Sequence, residues 1–234
     1  QREVCERMLC LLPERLPLSF KPSSLLDAGC GTGFGTQCLK CFWPDADMTG
    51  CDLSQEMVDR MHEKGFSAVV GDLEKMPFDS DRFDFIWCSL ALQWCHPAIV
   101  FPELHRVLEN NGLLYFTTPV PGTLPEIDFA FSGMDDSNRV LPFSAPDELE
   151  NHLRQAGFAD IELHTEKHVM HYPDFRSVID SIRGVGAHQS VRKRQPLMGK
   201  TAWKTAGERY ESFRDEAGLP VTYELVYGFA VAKK

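Results

Sequence analysis

The chain has 234 residues, a length that suits one large domain or one domain with an insertion. Hydrophobic residues make up 43% of it and aromatic residues 11%, which is enough for a sizeable core and excludes a disordered chain. Its 24 Lys and Arg against 34 Asp and Glu give a net charge of −10, which disfavours a general nucleic-acid binder. No apolar run approaches the roughly 20 residues that cross a bilayer, and the acidic start is atypical of a secretory signal. We therefore expect a cytoplasmic protein that binds neither nucleic acid nor membrane.

Short β-rich runs alternate with helical patterns from about residue 24 to residue 118. The sequence predicts strands at 24–28, 47–51, 66–70, 82–88 and 112–118, and helices at 35–42, 54–64 and 97–108. Strand and helix in alternation imply right-handed crossovers and a parallel sheet. This half of the chain therefore predicts a doubly wound α/β domain.

The second half departs from this alternation. We read 119–145, which is rich in Pro, Gly, Asp and Ser, as a covering loop, followed by a helix at 146–156, a strand at 158–168, short helices within 174–216 and a strand at 221–231. The predicted fold is α/β and Rossmann-like, with a mostly parallel seven-stranded sheet, an antiparallel last strand and a helical lid insertion. We expect a single domain over 1–234, with its core at about 14–118, the loop and lid at about 119–145 and 174–216, and the final strand at about 220–232.

All eight cysteines lie in the first 95 residues. Their density is too low for a small disulfide-bonded domain, so we expect reduced thiols that pack as small apolar groups. Cys38 and Cys41 form a CxxC pair with Cys30 nearby, but no second CxxC or His pair has the spacing that a zinc site needs. We predict no metal site.

The strongest signal is the run LLDAGCGTGF at 25–34, where a predicted buried strand ends in glycines at 29, 31 and 33. These glycines let the backbone pass close to a ligand, although a purely structural turn is the alternative. The dinucleotide pattern G-x-G-x-x-G fails, because its third glycine would fall on Phe34 or Thr36. What remains, D-x-G-x-G-x-G, resembles motif I of the class I S-adenosylmethionine-dependent methyltransferases, in which the loop cradles the amino-acid end of the cofactor.

Three further elements match that family in the same order along the chain. Asp52 ends the second strand, where an acid can accept hydrogen bonds from both ribose hydroxyls. Asp72 follows the third strand, where the family places an acid against the adenine amino group, and Ser89 ends the fourth. All lie at strand carboxyl ends, where such sheets bind ligands.

The resemblance implies S-adenosylmethionine as cofactor and S-adenosylhomocysteine as product. Asp27 would steer the cofactor ammonium, directly or by anchoring the loop. The residues predicted to bind the cofactor are Asp27, Gly29, Cys30, Gly31, Gly33, Asp52, Leu53, Met57, Asp72, Leu73, Ser89 and Leu90.

Later segments are more specific. They are SLALQWC at 89–95, FTT at 116–118, GTLPE at 122–126, NR at 138–139, IRGVGA at 182–187 and PVTYELVYG at 220–228. Together they resemble the malonyl-acyl-carrier-protein O-methyltransferases of biotin synthesis, and the resemblance covers about Arg7 to Lys233. It implies methylation of the free carboxylate of malonyl on the carrier protein, which primes pimeloyl chain synthesis. The family has an N-terminal segment that helps to close the site, and we expect this chain to begin after it.

A malonyl carboxylate is ionised at pH 7 and has no proton to lose, so we expect positioning and desolvation instead of a general base. Arg139 is the first candidate to bind the substrate carboxylate, because a guanidinium can donate two hydrogen bonds to it. Arg183 is the second, and Gln93 and Trp94 are candidates to line the pocket. A surface position for Arg139 and core packing for Trp94 are the alternatives.

The segment 181–207 carries six basic residues and no acidic residue, a charge of +6 that leaves −16 for the rest of the chain. The resemblance implies a strongly acidic carrier-protein partner, so a docking role is predicted for this segment, with a solvated helix face as the alternative. The candidate docking residues are Arg192, Lys193, Arg194, Lys200 and Lys204. Two other functions stay open: methylation of a quinone or other small acceptor by the same fold, and S-adenosylmethionine binding without catalysis.

Overall fold

The structure is a computed structural model that describes residues 2–16, 20–134, 140–184 and 200–234. Its strands are β1 (Ser24–Ala28), β2 (Asp47–Asp52), β3 (Ser67–Val70), β4 (Phe83–Ser89), β5 (Leu108–Pro119), β6 (Phe158–Tyr172) and β7 (Leu219–Ala232). They form one sheet in the order β3-β2-β1-β4-β5-β7-β6. The first five strands pair in parallel and the last strands are antiparallel, so the predicted fold class is confirmed.

Eight helices accompany these strands in the described residues, and two of them, Arg2–Arg15 and Pro125–Phe131, are not among the helices that the sequence predicts. The eight helices are α1 (Arg2–Arg15), α2 (Phe34–Phe42), α3 (Gln55–Glu63), α4 (Pro97–Val107), α5 (Pro125–Phe131), α6 (Pro146–Gln155), α7 (Phe175–Gly184) and α8 (Lys200–Tyr210). Short 3-10 turns occupy Leu92–Trp94 and Glu211–Phe213. None of the helices in the described ranges combines the length and apolar composition needed to cross a membrane.

The two central strands β1 and β4 are apolar on both faces because helices cover both sides of a parallel sheet. Leu25 and Leu26 of β1 and Phe85 and Ile86 of β4 have no exposed surface. The Trp43 and Phe85 rings stack edge to face with centroids 5.2 Å apart. Because β1 to β4 run in parallel, their carboxyl ends meet at one edge of the sheet, and the predicted cofactor residues lie at that edge.

Three predicted segments differ from the structure: β6 extends to Tyr172 and not only to 168, and the start of β5 and the loop at 119–145 also differ. β5 begins at Leu108 rather than Gly112, because Asn110, Asn111 and Gly112 form an irregularity inside the strand and not a turn before it. Asn111 has φ +65°, and the pairing of β4 with β5 shifts register at this point. The region 119–145, predicted as a covering loop, contains the helix α5, with Pro125 in its first turn.

The chain divides into two compact units. Unit 1 comprises 1–119, 144–165 and 226–234, and unit 2 comprises 120–143 and 166–225. Unit 2 has a core of its own, in which the Phe175 ring lies 5.1 Å from Trp203 and 5.3 Å from Tyr210. The single domain with a lid insertion stays a prediction.

A buried polar contact also holds unit 2 together. Glu126 at the start of α5 is 5% exposed and accepts a hydrogen bond of 2.5 Å from the Thr222 hydroxyl of β7. The Thr222 backbone N–H donates to the other Glu126 oxygen at 3.3 Å. A buried carboxylate requires such donors to offset its lost hydration.

Candidate active site

The glycine turn between β1 and α2 is the centre of the site in unit 1. Gly29, Gly31 and Gly33 have φ of +76°, +51° and +82°, a left-handed conformation that glycine adopts without steric cost. A Cβ atom on Gly29 would lie 2.3 Å from the Ala91 Cβ, and one on Gly33 would lie 2.3 Å from the Met61 Sδ. A Cβ on Gly31 would have no atom of the described residues within 4 Å. Two glycines therefore permit close packing, and Gly31 leaves open space beside the backbone.

Backbone hydrogen bonds tie this turn to the end of β2. The N–H groups of Gly29 and Cys30 both donate to the Cys51 carbonyl oxygen, at 2.8 and 3.1 Å. The Gly31 N–H donates to the Asp52 Oδ2 at 2.9 Å. The glycine turn and the end of β2, with its predicted ribose-binding acid, are thus joined by three hydrogen bonds.

Asp52 has capacity left for a ligand. Its Oδ1 accepts one further hydrogen bond, from the Ser54 N–H at 2.9 Å, so each carboxylate oxygen keeps a lone pair. The following residue, Leu53, is 68% exposed, and Met57 of α3 is half-buried. An acceptor for hydroxyl groups and an exposed apolar side chain therefore stand together after β2.

Asp27 lies deeper than its neighbours, at 3% exposure. Its Oδ2 accepts a hydrogen bond of 2.5 Å from the hydroxyl of Thr36, in the first turn of α2. Burial raises the pKa of Asp27 to about 6, although the hydrogen bonds from Thr36 oppose this shift. Of the two roles predicted for Asp27, this contact favours anchoring the loop.

The segment after β3 places Asp72 at the surface and Leu73 in the interior. The Asp72 Oδ1 accepts a hydrogen bond of 2.9 Å from the Glu74 N–H, which holds the carboxylate in a tight turn. The Leu73 Cδ1 lies 3.9 Å from the position of a Cβ on Gly29. The β3 end therefore lies next to the glycine turn.

The segment after β4 completes this edge of the sheet. Ser89 pairs with Thr117 of β5, and the Leu90 N–H donates to the Thr117 carbonyl at 3.0 Å, with Leu90 at φ +53°. The Gln93 Nε2 donates to the Leu90 carbonyl at 2.8 Å. Trp94 is 41% exposed, so it is not a core residue.

Three buried polar side-chain atoms have no hydrogen-bond partner within the described residues: the Trp87 Nε1, the Gln93 Oε1 and the Thr117 Oγ1. Buried polar atoms are nearly always hydrogen-bonded in proteins. All three residues lie in β4 or β5 or in the turn after β4, and they offer both donor and acceptor capacity there.

The residues at this edge fit S-adenosylmethionine. Gly31 leaves open space beside the backbone, Asp52 offers two oxygen acceptors, and Leu53 presents an apolar surface next to them. The unpartnered atoms of Gln93 and Thr117 add polar groups that a ligand can satisfy. Asp52, Leu53, Asp72 and the glycine turn are therefore the residues that would hold the cofactor.

The remaining predicted residues differ in what the structure says of them. Cys30 is 6% exposed, and its Sγ lies 2.8 Å from where a Cβ on Gly50 would stand, so only its backbone faces the turn. Lys204 is an exposed residue of α8, 3.7 Å from Glu208. Arg183 is the penultimate residue of α7 and Lys200 is the first residue of α8, but the side chains of both lie outside the described part of the structure. The other four predicted residues lie entirely outside the described residues: Arg139, Arg192, Lys193 and Arg194.

Sequence reasoning missed several residues that shape the site. Thr36 binds the Asp27 carboxylate, and Ala91 packs against Gly29. Glu74 follows Asp72 by two positions and joins two loops. A threonine in the first helical turn after the glycines could have been predicted to hydrogen-bond the Asp27 carboxylate. The contacts of Ala91 and Glu74 could not be predicted, because no nearby sequence pattern indicates them.

Comparison with known proteins identifies the family. Residues 26–116 match the model of the methyltransferase domain family. A malonyl-(acyl-carrier protein) O-methyltransferase from Herminiimonas arsenicoxydans is 42% identical over 229 residues, which cover 97% of this chain and 86% of that protein. The chain belongs to the malonyl-acyl-carrier-protein O-methyltransferase family. This membership confirms the predictions of a methyltransferase and of S-adenosylmethionine as its methyl donor.

Solved structures of methyltransferases share the fold. The YcgJ protein from Bacillus subtilis superposes with a TM-score of 0.66 at 17% identity, covering 98% of this chain and 99% of that one. Phosphoethanolamine N-methyltransferase 2 from Haemonchus contortus, solved with S-adenosyl-L-methionine, gives a TM-score of 0.61 at 18% identity, covering 98% of this chain and 53% of that one. At these identities the likeness concerns the fold of this methyltransferase and not its substrate.

Proposed function

We propose that this chain transfers a methyl group from S-adenosylmethionine to the free carboxylate of malonyl held on an acyl-carrier protein. The observation that carries the proposal is the 42% identity, over 97% of the chain, to a protein named for that reaction. The product is a methyl ester, which lacks the negative charge of the malonyl end. In this proposal the ester primes pimeloyl chain synthesis for biotin.

The cofactor residues all belong to unit 1. When bound, S-adenosylmethionine supplies a methyl group that is activated by its positively charged sulfur. Asp52 binds the ribose hydroxyls through its two acceptor oxygens, and Asp72 accepts from the adenine amino group. Gly31 gives the amino-acid end room beside the backbone, and Asp27 anchors the turn through Thr36.

The reaction needs alignment more than proton transfer. One malonyl carboxylate oxygen attacks the methyl carbon, the new O–CH3 bond forms as the CH3–S bond breaks, and the electron pair of that bond stays on sulfur. A free carboxyl with a pKa of about 3.9 is already ionised at pH 7, so no side chain has to remove a proton. The protein contributes by orienting the carboxylate and excluding water, because the transfer neutralises two opposite charges and a dry site favours it.

Selection of malonyl over uncharged acyl groups requires donors that reach its carboxylate. We assign this role first to Arg139 and second to Arg183, with Gln93 and Trp94 lining the pocket. The Gln93 Nε2 already donates to the Leu90 carbonyl and its unpartnered Oε1 is an acceptor, so Gln93 is given a lining role and not a role in binding the carboxylate. Trp94 is given a lining role because its large side chain is exposed beside the β4 end. Arg139→Ala is expected to lower turnover of the malonyl carrier while leaving S-adenosylhomocysteine affinity unchanged, and equal turnover would remove Arg139 from this role.

Docking of the acidic carrier is assigned to the basic segment, with Arg192, Lys193 and Arg194 as its centre and Lys200 and Lys204 beside them. Salt screens such contacts, so KM for the carrier should rise with ionic strength far more than KM for the cofactor. Replacement of Arg192, Lys193 and Arg194 by alanine should raise KM for the carrier, as high salt does. Lys21→Ala, at an exposed lysine of unit 1, serves as the control and should leave this KM unchanged. A KM for the carrier that does not change with ionic strength would contradict docking through this segment.

The deciding experiment is mass spectrometry of malonyl-acyl-carrier protein after incubation with the chain and S-adenosylmethionine, with acetyl-carrier as the control. The expected result is a carrier heavier by one methyl group, lost as methanol in mild base and absent from the acetyl control. Binding of S-adenosylhomocysteine without methylation of malonyl-carrier would contradict the proposed substrate. Transfer to a quinone or other small acceptor would then replace it.

A further inference from the structure

Two of the loops at the cofactor edge are joined by one side chain. The Glu74 Oε1, in the segment after β3, accepts a hydrogen bond of 2.5 Å from the backbone N–H of His96, in the segment after β4. Glu74 is half-buried, and its own N–H donates to the Asp72 Oδ1. The same residue therefore holds the Asp72 carboxylate in its turn and ties that turn to the next loop.

The tied loops both lie beside the glycine turn. Around Gly29, a Cβ would meet Ala91 of the β4 loop at 2.3 Å and Leu73 of the β3 loop at 3.9 Å. Cys95 precedes His96 at the same junction, and burial together with the Glu74 and Asp72 carboxylates raises the pKa of its thiol to about 12. The spacing between the two loops is thus set by packing on one side and by the Glu74 hydrogen bond on the other.

We propose that Glu74 is a positioning residue for cofactor binding, which acts by clamping the backbone of His96 so that Asp72 and the segment 91–95 keep a fixed separation. The inference rests on the proposed cofactor site, because Asp72 and Leu73 are its adenine-side residues. A charge-assisted hydrogen bond to a backbone N–H is among the stronger single contacts in proteins. Its loss lets the two loops separate and reduces the preorganisation of the site.

The first test is the affinity for S-adenosylhomocysteine, measured by titration calorimetry. Glu74→Ala should weaken binding roughly tenfold and raise KM for the cofactor to the same extent, with kcat within about twofold. Glu74→Gln keeps an oxygen acceptor and should bind within about threefold of the wild-type chain. Glu150→Ala, which removes a carboxylate from an exposed pair with Arg154 on α6, is the matched control and should leave affinity unchanged.

A second variant removes the donor instead of the acceptor. His96→Pro eliminates the backbone N–H, and the φ of −81° at His96 and the extended Cys95 before it are compatible with proline. His96→Pro alone should weaken binding as much as Glu74→Ala, and the double variant should be no weaker than either. This variant also tests the inference if Glu74→Ala fails to fold.

Three results would overturn the inference. They are wild-type affinity in Glu74→Ala, wild-type affinity in His96→Pro, and fully additive losses in the double variant. The first of these results, if it comes with a lowered melting temperature, would make Glu74 a purely structural residue. Absence of S-adenosylhomocysteine binding by the wild-type chain is a different outcome, because it would contradict the proposed function itself.

Discussion

Substitution of two glycines in the same turn should separate ligand binding from folding. Gly31→Ala places a methyl group in open space, so its only folding cost is the left-handed conformation, about 1 kcal/mol. That methyl group enters the space assigned to the cofactor, and we expect S-adenosylhomocysteine affinity to fall at least tenfold, or about 1.4 kcal/mol. Gly29→Ala adds to the same conformational cost a 2.3 Å clash with the Ala91 Cβ. Because that atom is attached to the backbone, the total should reach about 2–4 kcal/mol of stability.

Urea denaturation and titration calorimetry on the same preparations measure the two effects. Gly65→Ala is the matched control, because Gly65 has φ +79° and equally open surroundings but lies after α3 and is not one of the predicted cofactor residues. It should lose about 1 kcal/mol of stability and no affinity. If Gly31→Ala binds S-adenosylhomocysteine as well as Gly65→Ala does, the open space beside Gly31 is not the cofactor site.

Three further predictions concern buried or shared carboxylates. Because the folded-state pKa of Asp27 is raised from 3.8 to about 6, its stabilising contribution is complete below pH 3.8 and is lost as the pH rises through about 6. In urea titrations, the stability of Asp27→Asn relative to the wild-type chain should therefore increase by about 2 kcal/mol from pH 4 to pH 8. A stability difference between the two proteins that does not change with pH would contradict this. Asp52→Asn converts one acceptor oxygen into a donor and should weaken S-adenosylhomocysteine binding at least tenfold by calorimetry, whereas unchanged affinity would exclude Asp52 from the site. Thr222→Val leaves a Glu126 oxygen without its hydroxyl donor and should cost about 2 kcal/mol in urea denaturation, against little change for the exposed Thr201→Val.

Much of the fold in the first half of the chain could be predicted because local signals agree there. Buried strands such as Leu25 to Ala28 read as short apolar runs, and the turn glycines mark where they end. The acids after β2 and β3 could be located for the same reason, since strand ends in a parallel sheet share one edge.

Other features depend on contacts that no local pattern records. The Asn110-Asn111-Gly112 run has the composition of a turn, yet pairing with β4 keeps it inside a strand as an irregularity. α5 has only seven residues, too few for a clear helical period. The Glu74 clamp joins positions 22 residues apart, so only the folded chain brings acceptor and donor together.

The hydrogen bonds of the glycine turn also bear on which nucleotides the site rejects. The N–H groups of Gly29 and Cys30 are committed to Cys51, that of Gly31 to the Asp52 carboxylate, and that of Gly33 to the Cys30 carbonyl. A loop that cradles phosphate needs such N–H groups free and pointing at the anion. Here these four N–H groups are consumed internally, one of them by the Asp52 carboxylate. The turn therefore disfavours a pyrophosphate through its committed donors as well as through its glycine spacing, and it suits a ligand that presents hydroxyl groups to Asp52.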